Sequence, residues 1–492
     1  MINIQNSLLI KIQELELISK RLEPKIELRK DWTDKVNQFA FEFIDSLNEQ
    51  SAFQMFGSLK DCLNLNLEEN STQEISTVLS DLKENLISQG LNPASGGHLG
   101  YIPGGGIYGT ALGDYLAAIT NQYAGIFYGG PGAVKIENEL IRWMASLFGY
   151  PENSHGNLSS GGSIANLIAI VTAREARQIK SSEISKQCIY LTEQVHHCVH
   201  KAIRISGLGE AQIRFIGMDS KFRMDGALLR NAIIKDKMDG FTPFLVVGSA
   251  GTTDTGAIDP LDLIAEIAQE EHIWFHVDAA YGGFFTLCNL KNEEGRTYKD
   301  LLKGIERSDS LVVDPHKGLF LSYGLGAVLI KDTAAQYRAH YYKAAYMQDT
   351  LSNQEELSPS DLSPELTKHF RGLRLWLPLK LHGLAPFRAC LEEKILLCRY
   401  FYEEIGKLGF ERGPFPETSV CIYRYVPESS NANEFNQKLV DYIVQNGRVF
   451  VSSTSINGVF WIRIAILSFR THLTIIQDYL DLLKQALTKL KD

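Results

Sequence analysis

The sequence lacks the patterns that mark membrane, disulfide-bonded and zinc-binding proteins. Its seven cysteines are scattered with no CxxC pair, which is typical of reduced thiols in the cytoplasm. No stretch approaches the ~18 consecutive apolar residues of a membrane span, and the N-terminus carries charges where a signal peptide would be apolar. A net charge of -9 argues against a nucleic-acid partner. We therefore expect a cytoplasmic protein that binds neither nucleic acid nor membrane.

The chain of 492 residues is longer than one hydrophobic core usually holds, since domains have roughly 100–200 residues. Residues 1–95 carry apolar side chains at helical spacing, which predicts an N-terminal helical segment. In residues 96–375, the large domain, short β-branched runs alternate with helical segments, and residues 376–492 predict a small C-terminal α+β domain. This alternation predicts an α/β fold with a mostly parallel sheet, helices on both faces and ligands at the carboxyl ends of the strands.

A glycine–serine stretch at residues 160–163 directly precedes a predicted helix at residues 164–177. Glycines let the backbone approach an anion closely, and the first N–H groups of a helix point toward that anion. The stretch therefore indicates a phosphate site formed by Gly161, Gly162 and Ser163. The alternative is an ordinary serine-capped helix that follows a turn.

Two charged side chains follow predicted strands farther along the chain. Asp278 ends the apolar run 273–277, where it could bind a metal, cap a helix, form an ion pair or keep a pyridinium nitrogen protonated. The small side chain of Ala280 leaves room beside it for a flat ring. Lys317 follows the run 310–313, where a lysine is usually a solvated surface cation but could instead form a Schiff base.

A pair of histidines, His196 and His197, follows the predicted strand 187–192. Histidines in such places usually belong to the core or cap a helix, but an imidazole there could also stack on an aromatic ring. A zinc site is disfavoured because neither a cysteine pair nor an HExxH motif accompanies them. Accident rarely supplies a phosphate site, a ring-stacking group, a pyridinium partner and a lysine at successive strand ends. Together they predict a pyridoxal-phosphate (PLP) enzyme in which Lys317 carries the cofactor.

At this point the sequence resembles the group II PLP-dependent amino-acid decarboxylases, which include the aromatic-L-amino-acid, histidine, tyrosine and glutamate decarboxylases. The resemblance covers nearly the whole chain after the first few dozen residues. It rests on the motifs GGHLGYIPGG, SGGSIANLIA, QVHHCVHKA, GTTDTGAIDP, WFHVDAAYGG, DPHKGLF and FRGLRLWLPLKLHG. It implies the aspartate-aminotransferase-like fold (fold type I), pyridoxal 5'-phosphate as cofactor and a homodimer with active sites at the subunit interface.

The resemblance also implies a role for each matching residue. Lys317 would carry the cofactor as the internal aldimine, Asp278 would pair with the pyridinium nitrogen, and His196 would stack on the ring. Thr253 would lie near the ring hydroxyl and the substrate carboxylate. The remaining cofactor-binding residues would be Gly161, Gly162, Ser163, Ala280 and His316.

One implied catalytic residue lies outside these strand ends. Tyr346, in AAYMQD, falls where the family has a mobile-loop tyrosine that returns a proton to Cα after carbon dioxide leaves. An oxidative, aldehyde-forming decarboxylase is the first alternative, and it typically lacks this tyrosine. An aminotransferase is the second, and Arg463 in WIRIAI would then bind the substrate carboxylate unless it forms a structural ion pair. A non-enzymatic paralogue is disfavoured because every reacting residue is present.

Three positions depart from the pattern of the family. Gly318 stands where many members have tryptophan, Ile164 replaces a frequent glutamate, and Lys135 stands where glutamate is common. None of these changes removes a reacting group. Gly318 does predict altered packing behind Lys317.

The walls of the substrate pocket are expected from residues 99–104 and, across the dimer, from residues 123–127. Neither stretch contains an arginine that could bind an acidic substrate. Their side chains favour an aromatic or apolar substrate, and the pocket residues would be Tyr101, Ile102, Pro103 and Tyr123. We therefore expect decarboxylation of an aromatic or apolar L-amino acid to the amine and carbon dioxide.

Overall fold

The structure is a computed structural model that describes residues 2–55, 72–341, 356–428 and 430–491. The chain divides into two units, Met1–Asn92 and Pro93–Asp492. The predicted domain boundaries after residues 95 and 375 stay predictions. Among the described residues, no helix is both long enough and apolar enough to cross a membrane.

The first unit is mainly helical, in keeping with its apolar spacing. Its described residues, 2–55 and 72–92, contain three α-helices, a π-helical turn at Lys83–Ile87 and a short antiparallel pair of strands. The helices are α1 (Ile2–Ser19), α2 (Ile26–Asp45) and α3 (Ile75–Leu82), and the strands are β1 (Phe53–Gln54) and β2 (Gly90–Leu91). Large apolar side chains along α1 and α2 remain exposed, among them Leu17 and Phe41.

The second unit is built on a seven-stranded sheet with the order β3-β9-β8-β7-β6-β4-β5. Its strands are β3 (His155–Ser159), β4 (Gln187–Leu191), β5 (Gln212–Phe215), β6 (Thr242–Ser249), β7 (Trp274–Asp278), β8 (Ser310–Val313) and β9 (Gly326–Ile330). The neighbouring strands β5, β4, β6, β7 and β8 are parallel to one another. Strand β9 runs antiparallel to both of its neighbours, β8 and β3. The sheet is therefore mostly parallel, as the strand–helix alternation predicted.

Helices cover both faces of this sheet. The helices of this part of the unit are α4 (Tyr108–Thr120), α5 (Pro131–Leu147), α6 (Gly162–Ala176), α7 (His197–Ile205), α8 (Gly226–Met238), α9 (Leu261–Glu270), α10 (Tyr298–Leu301), α11 (Pro315–Gly318), α12 (Thr333–His340) and α13 (Gly372–His382). Alternate residues of a strand point to opposite faces. Phe275 of β7 accordingly packs in one core with α5 and α9, while Trp274 packs in another with α6 and α7.

The C-terminal part forms a smaller antiparallel sheet with the order β10-β11-β13-β12. Its elements are α14 (Ala385–Lys407), β10 (Glu411–Arg412), β11 (Val420–Arg424), α15 (Ala432–Asn446), β12 (Ser452–Ile456), β13 (Val459–Ala465) and α16 (Leu473–Lys491). The motif GGHLGYIPGG, at residues 96–105, forms a glycine-rich loop. Leu99 of this loop is buried in the core of the C-terminal lobe. The loop that was expected to line the substrate pocket is therefore anchored in the C-terminal lobe.

Candidate active site

The carboxyl ends of β3, β4, β6, β7 and β8 surround a cavity of about 480 Å³. Parallel strands bring their carboxyl ends to the same edge of a sheet, so residues far apart in sequence meet there. The cavity is lined by all of the predicted cofactor-binding residues, namely Gly161, Gly162, Ser163, His196, Thr253, Asp278, Ala280, His316 and Lys317.

The glycine–serine stretch makes the turn from β3 into α6, whose first residues are Gly162 and Ser163. Gly161 has a φ of 149°, a conformation that side chains disfavour. A Cβ atom on Gly162 would lie 3.0 Å from Asp314 Oδ2 and 3.3 Å from Ala280 Cβ. Because it lacks side chains, the glycine pair packs closely against Asp314 and Ala280 and leads into a helix whose first N–H groups favour an anion.

Lys317 lies in α11, directly after β8, and its Nζ is 2.8 Å from Asp314 Oδ2. Burial alone would lower the pKa of Lys317, but the ion pair with Asp314 and the nearby Asp278 outweigh it and raise that pKa. The lysine is thus held as an ammonium ion at the floor of the cavity. It must give up a proton before it can attack an aldehyde.

Sequence reasoning did not assign Asp314 to the site. Its side chain is almost fully buried, and its Oδ1 is a buried oxygen without a hydrogen-bond partner among the described residues. The spacing of an acid three residues before Lys317 was the signal that could have revealed the pair, because residues i and i+3 share a helix face.

Asp278 is the last residue of β7, and its carboxylate accepts two hydrogen bonds. Ala280 N donates to Oδ1 at 3.1 Å, and Asn166 Nδ2 donates to Oδ2 at 3.3 Å. Asn166, on the first turns of α6, was also absent from the predicted site. Its amide links Asp278 to the phosphate site, because Nδ2 also donates to Gly162 O at 2.9 Å.

His196 both caps a helix and lines the cavity. Its Nδ1 accepts a hydrogen bond from Cys198 N at the start of α7, at 3.3 Å. Burial lowers the pKa of His196, which favours the neutral ring. With Nδ1 as acceptor, the neutral imidazole carries its proton on Nε2.

His316 is fixed by a hydrogen bond from its Nδ1 to Leu325 O at 2.6 Å. Since a carbonyl oxygen can only accept, Nδ1 carries the proton of this ring. Burial lowers the pKa of His316 as well. Tyr323, which sequence reasoning missed, lines the cavity beside it with the two ring centres 5.9 Å apart.

Arg463 of β13 is buried and binds neutral oxygen atoms. Its guanidinium donates to Thr253 O at 2.5 Å, to Tyr101 O at 2.7 Å and to Ser452 Oγ at 2.8 Å. Burial lowers the pKa of Arg463 to about 10. These hydrogen bonds tie the glycine-rich loop to the turn after β6, so within the described ranges Arg463 fastens loops instead of forming an ion pair.

The predicted substrate residues do not line the cavity of the single chain. Tyr101 has a positive φ of 50° and an exposed side chain, while Ile102 and Pro103 are buried beside it. Tyr123 packs against Gly129 and Gly130, at a distance from the cavity lining. Tyr346 lies outside the described residues.

The three departures from the family pattern leave the cavity intact. A Cβ atom on Gly318 would lie 2.8 Å from Phe284 Cβ, so the buried Phe284 side chain fills the space beside this glycine. Ile164 packs partly buried against a small core on α6, and Lys135 is exposed on α5.

Comparison with known proteins connects this geometry to one family. The family model described as "Pyridoxal-dependent decarboxylase conserved domain" matches residues 57–417, more than half of the chain. An aromatic-L-amino-acid decarboxylase of Bacillus atrophaeus is 32% identical over 419 residues, which cover 84% of this chain and 85% of the relative. A phenylacetaldehyde synthase of Petunia hybrida is 28% identical over 417 residues, covering 80% of this chain and 81% of the relative.

A solved structure shares the fold across nearly the whole molecule. The crystal structure of Catharanthus roseus tryptophan decarboxylase in complex with L-tryptophan matches with a TM-score of 0.86 and 23% identity. The match covers 95% of this chain and 99% of that one. The predicted fold type I architecture and the predicted cofactor are thereby confirmed. The chain belongs to the family of pyridoxal-phosphate-dependent decarboxylases.

Proposed function

We propose that the protein decarboxylates an aromatic L-amino acid to the corresponding amine. The observation that carries this proposal is a single cavity in which a buried lysine, a strand-end aspartate, a histidine and a helix N-terminus converge. Each of these groups matches one part of pyridoxal phosphate. The relative from Bacillus atrophaeus is an aromatic-L-amino-acid decarboxylase, which supports the choice of substrate class.

The residues of the cavity fit the cofactor in size and chemistry. Gly161, Gly162 and Ser163 would hold the phosphate at the N-terminus of α6, helped by His316. Lys317 would bind the aldehyde carbon, and Asp278 would hold the proton on the ring nitrogen. His196 and Ala280 would contact the ring, with Thr253 near the ring hydroxyl and the substrate carboxylate. When bound, the cofactor supplies an electron sink for the electron pair that remains on Cα when carbon dioxide leaves.

The protein's own groups orient the substrate and move protons. Asp314 Oδ2 lies 2.8 Å from Lys317 Nζ, so it can hold or receive the lysine proton. Arg463 fixes the carbonyl groups of Tyr101 and Thr253, which sets the wall beside the substrate. Correct placement of the Cα–carboxylate bond is the protein's main contribution to the rate.

Tyr346 is proposed to return the proton to Cα. This role rests on its position in the sequence motif AAYMQD. The alternative activity, oxidative decarboxylation to an aldehyde, has one specific support in the similarity to a phenylacetaldehyde synthase. Retention of the tyrosine favours the amine-forming reaction.

The lining of the cavity supports a neutral substrate side chain. It contains no arginine in the part of the chain that the structure describes, and its cation is the lysine that bonds the cofactor. An acidic side chain would lack a charged partner there, and burying an unpaired charge is costly. An aromatic side chain needs only apolar contact and no charged partner.

We also propose a homodimer in the cytoplasm. Helix α4 exposes an apolar stripe at helical spacing, formed by Tyr108, Leu112, Tyr115, Leu116 and Ile119. A second copy of the chain would cover this stripe and could bring Tyr123 to the neighbouring site. The cysteines that the structure describes are free thiols, which suits a reducing compartment.

A product screen tests this function directly. Purified protein is incubated with pyridoxal phosphate and each of the twenty amino acids, and the products are identified by mass spectrometry. We expect amine from tyrosine, tryptophan or phenylalanine, and none from the Lys317→Ala control. Keto acid as the main product would instead establish an aminotransferase, and aldehyde with peroxide would establish the oxidative alternative.

A further inference from the structure

A chain of buried hydrogen bonds runs behind Asp278, away from the cavity. Trp274 Nε1 lies 2.9 Å from Ser310 Oγ, and that hydroxyl lies 2.8 Å from His276 Nδ1. His276 Nε2 lies 2.7 Å from Asn166 Oδ1, and Asn166 Nδ2 reaches Asp278 Oδ2. All these side chains are buried, so water does not compete for their hydrogen bonds.

The two ends of this chain fix the direction of every hydrogen bond in it. The indole N–H of Trp274 can only donate, so Ser310 Oγ accepts from it. At the other end Gly162 O can only accept, so the Asn166 atom beside it is the amide nitrogen. The amide oxygen of Asn166 therefore faces His276, which must donate from Nε2.

The state of His276 follows from these constraints. Burial lowers the pKa of His276 to about 4, so the ring is neutral at physiological pH. A neutral ring with its proton on Nε2 accepts at Nδ1, and the hydroxyl of Ser310 supplies that proton. Ser310 and His276 thus each accept one hydrogen bond from the Trp274 side and donate one toward Asn166 and Asp278.

We propose that His276 is a positioning residue that, with Ser310 and Trp274 behind it, holds the Asn166 amide against Asp278 and so fixes this carboxylate for the ring nitrogen. The proposal rests on the proposed function of Asp278. Without the Nε2–H donor of His276, the Asn166 oxygen is unsatisfied and its amide is free to rotate. Asp278 then loses a hydrogen bond on the oxygen that Asn166 holds, and its geometry toward the cofactor loosens.

Two variants of His276 separate positioning from mere packing. His276→Phe keeps a buried ring but removes the donor. His276→Gln is the matched control, because its terminal amide can place an N–H where Nε2 lies. Dissociation constants are measured for pyridoxal phosphate and for its 1-deaza analogue, in which carbon replaces the ring nitrogen. The ratio of the two constants isolates the contribution of the ring nitrogen from that of the phosphate and aldehyde.

We expect the wild-type protein to bind pyridoxal phosphate more tightly than the analogue. In His276→Phe the ratio of the two dissociation constants should fall about tenfold, because one hydrogen bond to a charged group is weakened. His276→Gln should retain most of the wild-type ratio. The kcat should fall with the same ranking while KM changes little. Ser310→Ala, which removes only the hydroxyl behind His276, should show a smaller loss in the same direction.

The outcomes distinguish the positioning function of His276 from the proposed function of Asp278 as partner of the ring nitrogen. Equal losses of affinity for both ligands in His276→Phe and in Ser310→Ala would overturn the positioning function, since packing alone affects them alike. A wild-type protein that binds both ligands equally would instead overturn the function of Asp278. If His276→Phe does not fold, the ratio measured for Ser310→Ala decides the question.

Discussion

The residues that would hold the cofactor follow the carboxyl ends of β3, β4, β6, β7 and β8, whereas those expected to meet the substrate lie in loops or outside the described residues. The cofactor side is held by strands and by buried hydrogen bonds such as those to Asp278. The substrate side depends on the loop around Tyr101, which side chains of the C-terminal lobe fasten. The groups proposed to carry out the chemistry are therefore held by the sheet, whereas the residues proposed to select the substrate lie on loops from elsewhere in the chain.

The glycine-rich loop around Tyr101 is held in place by hydrogen bonds to its carbonyl groups. Arg470 donates to Gly105 O at 2.6 Å and to Ala94 O at 3.1 Å, and Thr471 Oγ1 donates to Gly96 O at 2.6 Å. A loop without regular structure leaves its carbonyls unpaired, and buried unpaired carbonyls are costly. The C-terminal lobe therefore supplies donors that the loop itself lacks.

The largest effect is expected at Lys317. In Lys317→Ala the cofactor has no covalent anchor, so both the yellow absorbance of the bound cofactor and turnover should be abolished. Lys135→Ala, at an exposed position of α5, should change neither. Borohydride reduction of the wild-type holoenzyme and peptide mapping locate the bond. A pyridoxyl label on another lysine would show that Lys317 does not carry the cofactor.

A large effect is also expected at Asp278. Asp278→Asn keeps the shape but cannot hold the ring nitrogen as a cation, so the cofactor should remain bound while kcat falls. A loss of about two pKa units at the ring nitrogen costs ~2.7 kcal/mol, or about 100-fold in rate. Single-turnover kinetics measure this directly. A rate within a few-fold of the wild type would remove Asp278 as the pyridinium partner.

The substrate side is tested at Tyr346, with a change of product as the readout. Tyr346→Phe keeps the ring and removes the hydroxyl, so substrate binding and release of carbon dioxide should persist while reprotonation of Cα is impaired. Reaction with oxygen should then yield aldehyde, ammonia and peroxide at the expense of amine. Tyr337→Phe, a tyrosine stacked on Tyr341 in the described part of the chain, is the control. Unchanged amine with no peroxide would assign Tyr346 to loop packing.

The cofactor side was largely predictable because its residues follow recognisable strands. Asp278 and Lys317 come at the ends of apolar runs, and parallel strands bring such ends together without any long-range information. Strands β3 and β9 were not predicted individually. β3 reads HGNLS and contains no β-branched or aromatic residue, so no local pattern marks it as a strand.

Two contacts that sequence reasoning missed join distant segments. Asn166 meets His276 across 110 positions, and Arg463 meets Tyr101 across 362. Neither contact leaves a local pattern, because each depends on how helices and lobes pack on the sheet. The stretch 99–104 was predicted from the sequence as a wall of the substrate pocket. The hydrogen bond by which Arg463 holds this stretch in place could be seen only in the structure.

The smallest effect is expected at Asp314. It concerns the pH at which pyridoxal phosphate attaches to Lys317. The ion pair with Asp314 raises the pKa of Lys317 against the opposing effect of burial. Because the folded pKa is raised, this pair stabilises the cofactor-free protein below the ordinary lysine pKa, and the stabilisation is lost as pH rises through the folded pKa. Asp314→Asn removes the pair and leaves burial, so the pKa of Lys317 should fall.

The measurable consequence is a shift in the pH dependence of cofactor attachment. Attack on the aldehyde requires the neutral amine, so Asp314→Asn should attach pyridoxal phosphate at lower pH than the wild type and faster at neutral pH. Absorbance after rapid mixing follows the reaction, and Asp239→Asn, at an exposed carboxylate after α8, is the control. The test uses the pH dependence of attachment and not the affinity for pyridoxal phosphate, because removal of a negative charge near the phosphate site changes that affinity by itself. An unchanged profile would mean that Asp314 does not govern the protonation of Lys317.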